Sequence, residues 1–218
     1  MSSHPPILLY PDVFHKFLNK KKTVANIDRD FYEWHLGRKK YSLWGITISS
    51  NEIEERIKSA HKQLGDYLLS PYSRQSHITL FVCGFLNYKA KDKDDYSLEQ
   101  LDLQIKNLRN EKINPFSIEI GGINSFLISP FLEVEDTESG IKKIRHALSI
   151  RHKENRQEKY VPHITFGLYS GEYSTKKIAE KFSKLGAKTV YKVDHIKFLY
   201  YDPANINGLL KTEKIFWF

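Results

Sequence analysis

Two short segments of the chain share a pattern that constrains the fold more than any other feature. SHITL at residues 76–80 and PHITF at residues 162–166 each place a threonine two positions after a histidine, with isoleucine between them. Side chains alternate between the two faces of a β-strand, so each segment would present histidine and threonine on one face and apolar residues on the other. Of the nine histidines, only His77 and His163 have a threonine at this spacing. The repeated pattern predicts two related lobes that share a groove.

The segments around the two motifs follow a similar order of strands and helices. Alternating apolar residues predict strands in YSLWGITIS, SHITLFVCGFL and YVPHITFGLY, and capping-box spacing at Ser49 and Ser97 predicts the starts of two helices. PFSIEIGGINSFLIS and PFLEVE are predicted to be antiparallel strands around a Gly-Gly turn. The mixture predicts an α+β fold in which residues 41–218 form one bilobal domain of mainly antiparallel sheet flanked by helices. Residues 1–40 are predicted to be an extension packed on this domain.

Composition limits the class of protein. The 218 residues are 40% hydrophobic, which is enough to bury a large core. No run approaches the roughly 20 apolar residues of a membrane span, and the N-terminus does not resemble a secretory signal. A single cysteine, Cys83, cannot form an intramolecular disulfide, which fits a reducing compartment, and its apolar neighbours predict a buried strand thiol. We therefore expect a cytoplasmic, monomeric protein that does not associate with membranes.

The charge balance of the chain favours acidic partners. Thirty-four Lys and Arg residues against 26 Asp and Glu residues give a formal charge of +8. Such a balance raises the local concentration of polyanions, including nucleic acids. Because many basic domains bind nothing acidic, the charge supports a phosphate-bearing substrate without identifying one.

The paired motifs are suited to acid–base displacement at phosphorus. A neutral imidazole can take a proton from an attacking water while an opposing imidazolium protonates the departing oxygen. Two threonine hydroxyls can hold the nonbridging phosphate oxygens as negative charge builds on them. The candidate catalytic residues are His77, Thr79, His163 and Thr165. This chemistry needs no metal or cofactor, and the acidic residues of DRDFYEWH are more simply interpreted as a solvated or packed surface than as metal ligands.

Several blocks of the sequence resemble successive blocks of the 2H phosphoesterase superfamily, specifically its 2′-5′ RNA ligase or RNA 2′,3′-cyclic phosphodiesterase branch. These blocks are HITLFVCGFL, PFSIEIGGINSF, YVPHITFGL and the C-terminal VDHIKFLYYDP and EKIFWF. The resemblance extends from about residue 41 to the C-terminus. It implies a bilobal, pseudo-twofold fold whose central groove contains both motifs. It also implies metal-independent opening of 2′,3′-cyclic phosphates or related 2′-linked phosphodiesters, commonly to a 2′-phosphate. We expect His77 to be the acid and His163 the base, although pseudosymmetry allows the reverse.

Four further residues are candidates for binding the substrate. Arg74, just before the first motif, could reach the phosphate or end a loop. Phe85 and Tyr160 could stack a base at the rim of the site or pack in the core. Lys159 belongs to a basic run that could follow an RNA backbone or form a solvated surface.

The sequence favours one function and leaves two alternatives. The favoured function is hydrolysis of cyclic phosphates on RNA ends or nucleotides, with 2′-5′ RNA ligation as a possible additional activity. The first alternative keeps the site but acts on 2′-5′ oligonucleotides or cyclic dinucleotides. The second is an RNA-binding module without turnover. Two matched acid–base residues argue against this last alternative, because binding alone requires basic and stacking groups.

Overall fold

The computed structural model describes residues 8–154, 159–182 and 187–218. Helices α1 to α6 in these residues are Pro11–Leu18, Tyr32–His35, Asn51–Leu64, Leu98–Glu111, Gly140–Ser149 and Thr175–Ala179. Strands β1 to β9 are Tyr41–Thr47, His77–Asn87, Asp95–Ser97, Phe116–Ser125, Pro130–Glu135, His163–Thr165, Thr189–Val193, His195–Tyr201 and Lys211–Trp217. None of the described helices is long and apolar enough to cross a bilayer.

The strands form two sheets, which confirms the predicted α+β fold. Within the described residues, the first sheet has the strand order β3-β2-β1-β8-β9 and the second has the order β6-β5-β4-β7. All neighbouring strands are antiparallel except β2 and β3. One histidine–threonine motif begins β2 and the other forms β6, so each sheet carries one motif.

A buried polar side chain connects the core of the first sheet to the helices. Gln104 on α4 accepts hydrogen bonds from Trp44 Nε1 at 2.8 Å and from the hydroxyl of Tyr96 at 2.5 Å. Its amide donates to the carbonyl oxygen of Leu148 on α5 at 2.7 Å. Each polar group of the cluster therefore has a partner, which a buried amide requires to avoid a desolvation penalty. Cys83 is also buried on β2, as predicted, and burial raises the pKa of its thiol.

The described part of the predicted extension, residues 8–40, contacts both sheets and their loops. Thr23 donates its backbone N–H to the carbonyl of Tyr173 at 2.9 Å, on the side of the second sheet. Arg38 pairs with Asp94 at 2.7 Å and Asp95 at 3.0 Å, beside the first sheet. The extension therefore spans from one sheet to the other.

Two local predictions differ from the structure. Strand β4 continues through Gly121–Gly122, where a register shift between Ile120 and Ile123 forms a bulge, and the chain turns instead at residues 126–129. A glycine pair permits a bulge as readily as a turn, and pairing with β5 selects the bulge. Helix α3 is capped by Ser50, one residue later than predicted, because its backbone is extended and its hydroxyl accepts from the N–H of Ile53. The capping box predicted at Ser97 is confirmed.

Candidate active site

The first motif lines a cavity on one face of the first sheet. Strand pairing places His77 opposite Thr47 and Thr79 opposite Gly45 on β1. The cavity has a volume of about 370 Å³ and is lined by His77, Thr79, Arg74, Tyr41, Leu43, Val82 and Tyr201. The last four were not recognised from the sequence. Strand alternation indicates that Tyr41 and Leu43 share a face of β1. Alternation alone does not tell which of the two faces lies in a cavity, so these residues could not be assigned to the site.

The second motif lies on β6, beside β5. His163 is opposite Glu133 and Thr165 is opposite Phe131. Residues directly opposite each other in an antiparallel pair project to the same face, so these four side chains share one face of the second sheet. The imidazole of His163 packs against the rings of Phe126 and Phe131, with ring centroids 5.0 and 5.1 Å away. These aromatic contacts restrict how the imidazole can turn.

The two motifs meet where β2 and β6 lie in contact. Tyr160, just before β6, donates its hydroxyl to the carbonyl oxygen of Thr79 at 2.9 Å. The guanidinium of Arg145 covers the ring of Tyr160 at 3.7 Å and donates to the carbonyl of Leu80. Arg145 also pairs with Glu154 at 2.9 Å. These contacts hold the edge of β2 against the segment that carries the second motif.

Both catalytic candidates have the same local hydrogen bond. His77 Nδ1 is 2.8 Å from the carbonyl oxygen of Gln75, and His163 Nδ1 is 2.6 Å from the carbonyl oxygen of Val161. In each case the carbonyl belongs to the residue two positions earlier. A carbonyl oxygen only accepts hydrogen bonds, so Nδ1 carries a proton in both rings and Nε2 is the atom that can exchange a proton with a substrate.

The surroundings of His77 favour its neutral form. Burial is the main cause that lowers the pKa of His77 to about 4, and the positive charges of Arg74 and His163 act in the same direction. The hydrogen bond to the carbonyl of Gln75 opposes this shift. His77 is 9% exposed. At neutral pH its Nε2 therefore has a lone pair that can accept a proton.

The lowered pKa predicts a pH dependence of stability. In the unfolded chain His77 binds a proton below about pH 6.5, whereas in the folded protein it does so only near pH 4. The unfolded state therefore gains protons first, and the free energy of unfolding should fall as the pH falls from 6.5 to 4, by about 3 kcal/mol from this group. Urea unfolding of the wild type and His77→Gln at pH 7 and pH 4.5 would measure this loss, which the variant should lack. A matched change of exposed His146 should not alter it, and an equal loss in wild type and His77→Gln would contradict the prediction.

Arg74 both lines the cavity and holds a loop. Its guanidinium donates to the carbonyl oxygens of Gly208 at 3.2 Å and Ile206 at 2.7 Å. It also lies over the ring of Tyr201, 4.1 Å from the ring centroid. Of the two roles considered from the sequence, the loop contact is present, and the position of Arg74 in the cavity beside His77 is compatible with the other role, contact with a phosphate.

The other three candidate binding residues occupy different settings. Phe85 is 1% exposed beneath Trp34 and Arg38, so of the two roles considered from the sequence it has the core-packing one, and its ring has no face left for a base. Tyr160 is held between Arg145 and β2 and serves to join the motifs. Lys159 is exposed, and residues 155–158 of the same basic run lie outside the described residues.

The segment DRDFYEWH forms a packed local structure. His35 is buried, accepts the N–H of Gly37 at Nδ1 (3.0 Å) and donates from Nε2 to Asp30 (2.6 Å). Both ring nitrogens are thus used in protein contacts. Across residues 8–154, 159–182 and 187–218, no group of three or more His, Cys, Asp or Glu side chains is arranged to hold a metal ion.

Comparisons with known proteins relate the chain to one family. The sequence model of the 2′-5′ RNA ligase superfamily matches residues 50–205. No curated protein sequence matches the chain. Among solved structures, TT0787 of Thermus thermophilus is similar, with a TM-score of 0.56, 11% identity, and coverage of 81% of this chain and 97% of that chain. Two structures of Escherichia coli LigT are also similar, each at 14% identity. For the complex with 3′-AMP the TM-score is 0.56, and the match covers 82% of this chain and 98% of LigT. For the complex with ATP the TM-score is 0.55, and the match covers 83% of this chain and 98% of LigT.

Proposed function

Because the chain belongs to the 2′-5′ RNA ligase superfamily, we propose that it is a phosphodiesterase that opens 2′,3′-cyclic phosphates on RNA ends or nucleotides to give 2′-phosphates. The observation that carries this proposal is the matched pair of histidines. His77 and His163 lie on adjoining strands of the two sheets, and each is held through Nδ1 so that Nε2 can exchange a proton. A site that only bound phosphate would not require two imidazoles oriented in this way.

The geometry supports a single displacement by water. His77 Nε2 accepts a proton from water as the water oxygen bonds to phosphorus, and the bond between phosphorus and the 3′ oxygen breaks. His163 Nε2 donates a proton to that departing oxygen, so the products are a 2′-phosphate monoester and a 3′ hydroxyl. The hydroxyls of Thr79 and Thr165 donate to the nonbridging oxygens as their charge increases. The lowered pKa of His77 favours it as the base, which reverses the assignment expected from the sequence.

The choice of a nucleotide substrate has separate support. LigT has been crystallised with 3′-AMP and with ATP, and the present chain shares its fold. The formal charge of +8 would attract a phosphate-bearing ligand. The cavity beside His77 also contains Arg74, whose positive charge suits a phosphate, and the rings of Tyr41 and Tyr201, which suit a base.

Phosphorus NMR would test the reaction class. The protein is incubated in EDTA with 2′,3′-cyclic AMP and with a short RNA that ends in a cyclic phosphate, beside a His77→Ala/His163→Ala double variant that controls for contaminating nucleases. We expect conversion to the 2′-phosphate by the wild type only. A 3′-phosphate product, or a requirement for added metal, would contradict the mechanism. No conversion would reject the proposed substrate, and assays with 2′-5′ oligonucleotides, cyclic dinucleotides and RNA binding would then distinguish the alternatives.

A further inference from the structure

A continuous series of aromatic rings leads from the catalytic cavity to the N-terminal extension. Tyr201 and Tyr41 line the cavity, and their ring centroids are 5.6 Å apart. The ring of Trp34 lies 4.9 Å from that of Tyr41. Arg74 lies over Tyr201 at the other end of the series. We refer to Arg74, Tyr201, Tyr41 and Trp34 as the aromatic platform.

The platform lies on the same sheet face as the first catalytic motif. Tyr41 is paired with Phe85 on β2 and Tyr201 on β8, and opposite residues in antiparallel strands share a face. Tyr41 shares the cavity with His77. Trp34 packs on Tyr41 and also on Phe85, whose ring centroid is 5.2 Å from that of Trp34. Trp34 therefore covers this same face. Phe85 is the buried support beneath the platform.

Trp34 is held in place yet accessible. Its carbonyl accepts a hydrogen bond from Arg38 at 3.1 Å, and Arg38 is anchored by Asp94 and Asp95. Trp34 nevertheless remains 36% exposed, although it lies among other aromatic rings. An indole that packs against neighbouring rings and is still partly exposed is suited to stacking, because little side-chain entropy is lost on binding.

Distance separates Trp34 from the reacting phosphate. Gly45 is the β1 partner of Thr79, and Tyr41 lies four residues earlier on the same strand. At about 3.3 Å per residue this places Tyr41 roughly 13 Å along the sheet from the level of Thr79. Trp34 packs on both Tyr41 and its strand partner Phe85, so it lies at the level of Tyr41. A mononucleotide at His77 would fill the cavity near Arg74 and Tyr201. Trp34 is positioned for a base beyond that nucleotide.

We propose that the aromatic platform binds the last bases of a single-stranded RNA, so that the preferred substrate is an RNA end that carries the cyclic phosphate and not the free mononucleotide. This inference rests on the proposed function and adds a role for the extension, which supplies Trp34. The terminal base stacks near Tyr201 and Tyr41, and the preceding base stacks on Trp34. Arg74 contributes a positive charge next to the terminal phosphate. Stacking of this kind tolerates any base, so we expect little sequence preference.

The test compares two substrates that share the same terminal group. Values of kcat and KM are measured for 2′,3′-cyclic AMP and for a trinucleotide that ends in adenosine 2′,3′-cyclic phosphate. Trp34→Ala is expected to raise KM for the trinucleotide about tenfold, since loss of one stacked base has about this effect, and to leave both parameters for the mononucleotide unchanged. Trp34→Phe should retain most of the affinity, which separates loss of stacking from loss of folding. Trp217→Ala removes another exposed tryptophan, opposite the first residue of β8, and should affect neither substrate.

The outcomes distinguish this inference from the proposed function. An equal effect of Trp34→Ala on both substrates, or no effect on either, would overturn the platform while the phosphodiesterase activity stands. If the wild type hydrolyses neither substrate, the proposed function fails and the platform is tested by calorimetric binding of a trinucleotide that ends in a 2′-phosphate. Binding about ten times weaker in Trp34→Ala would then support the platform, and equal binding would reject it.

Discussion

Replacement of His77 or of His163 by alanine is expected to lower kcat for cyclic phosphate hydrolysis by about 10²- to 10⁴-fold, because each variant removes one of the two proton transfers. KM should change much less, since Arg74 and the cavity walls remain. The double variant should be little worse than either single variant, because the two imidazoles act in the same step and their effects are not additive. A matched change of exposed His146 to alanine should leave kcat within about twofold of the wild type, as usual for a surface position away from the site.

The pH dependence of kcat/KM in the wild type and in the two single variants would show which histidine is the base and which is the acid. In the wild type kcat/KM should follow a bell-shaped profile whose acid limb reports the base of the free enzyme. If His77 is that base, this limb lies near its lowered pKa of about 4 and disappears in His77→Ala. The alkaline limb should disappear in His163→Ala. Loss of the opposite limbs would assign His77 as the acid, and a profile unchanged in either variant would remove that histidine from the mechanism.

Glu133→Ala is expected to lower the free energy of unfolding by about 3 kcal/mol, since it leaves several buried donors without an acceptor. The carboxylate of Glu133 is fully buried and accepts the backbone N–H groups of Leu9 (2.9 Å) and Tyr10 (3.0 Å). It also accepts from the side-chain amide of Asn124 at 2.8 Å. Glu133 therefore binds the backbone of Leu9 and Tyr10 to the sheet face that carries His163.

Urea unfolding of three variants would measure this contribution. Glu133→Gln keeps one acceptor oxygen and should lose about 1–2 kcal/mol, less than Glu133→Ala. Glu135→Ala is a matched control on the same strand, since its pair with Lys188 lies at the surface and should contribute less than about 1 kcal/mol. Equal stability of Glu133→Ala and Glu135→Ala would show that residues 8–10 are not fastened through Glu133.

Features that depend on neighbouring residues could be read from the sequence. Alternation within five residues placed His77 with Thr79 and His163 with Thr165, and the structure has each motif on a strand. The capping box predicted at Ser97, whose atoms are only three residues apart, is confirmed, whereas the same spacing at Ser49 missed the cap by one residue because Ser50 has the extended backbone that a cap needs. The Gly-Gly pair was misread because both a turn and a bulge tolerate glycine, and only pairing with β5 distinguishes them.

The sequence by itself determined the two histidine–threonine motifs, the sharing of one strand face by the histidine and threonine of each, and the α+β class of the fold. Tertiary structure alone decided that β2 and β6 meet, that Phe85 is buried beneath Trp34, and that Tyr41 and Tyr201 line the cavity. Local periodicity sets which side chains share a face, because the backbone geometry of a strand repeats every two residues. It does not set which strands become neighbours, because that choice depends on burying apolar faces and pairing polar groups between segments far apart in the chain.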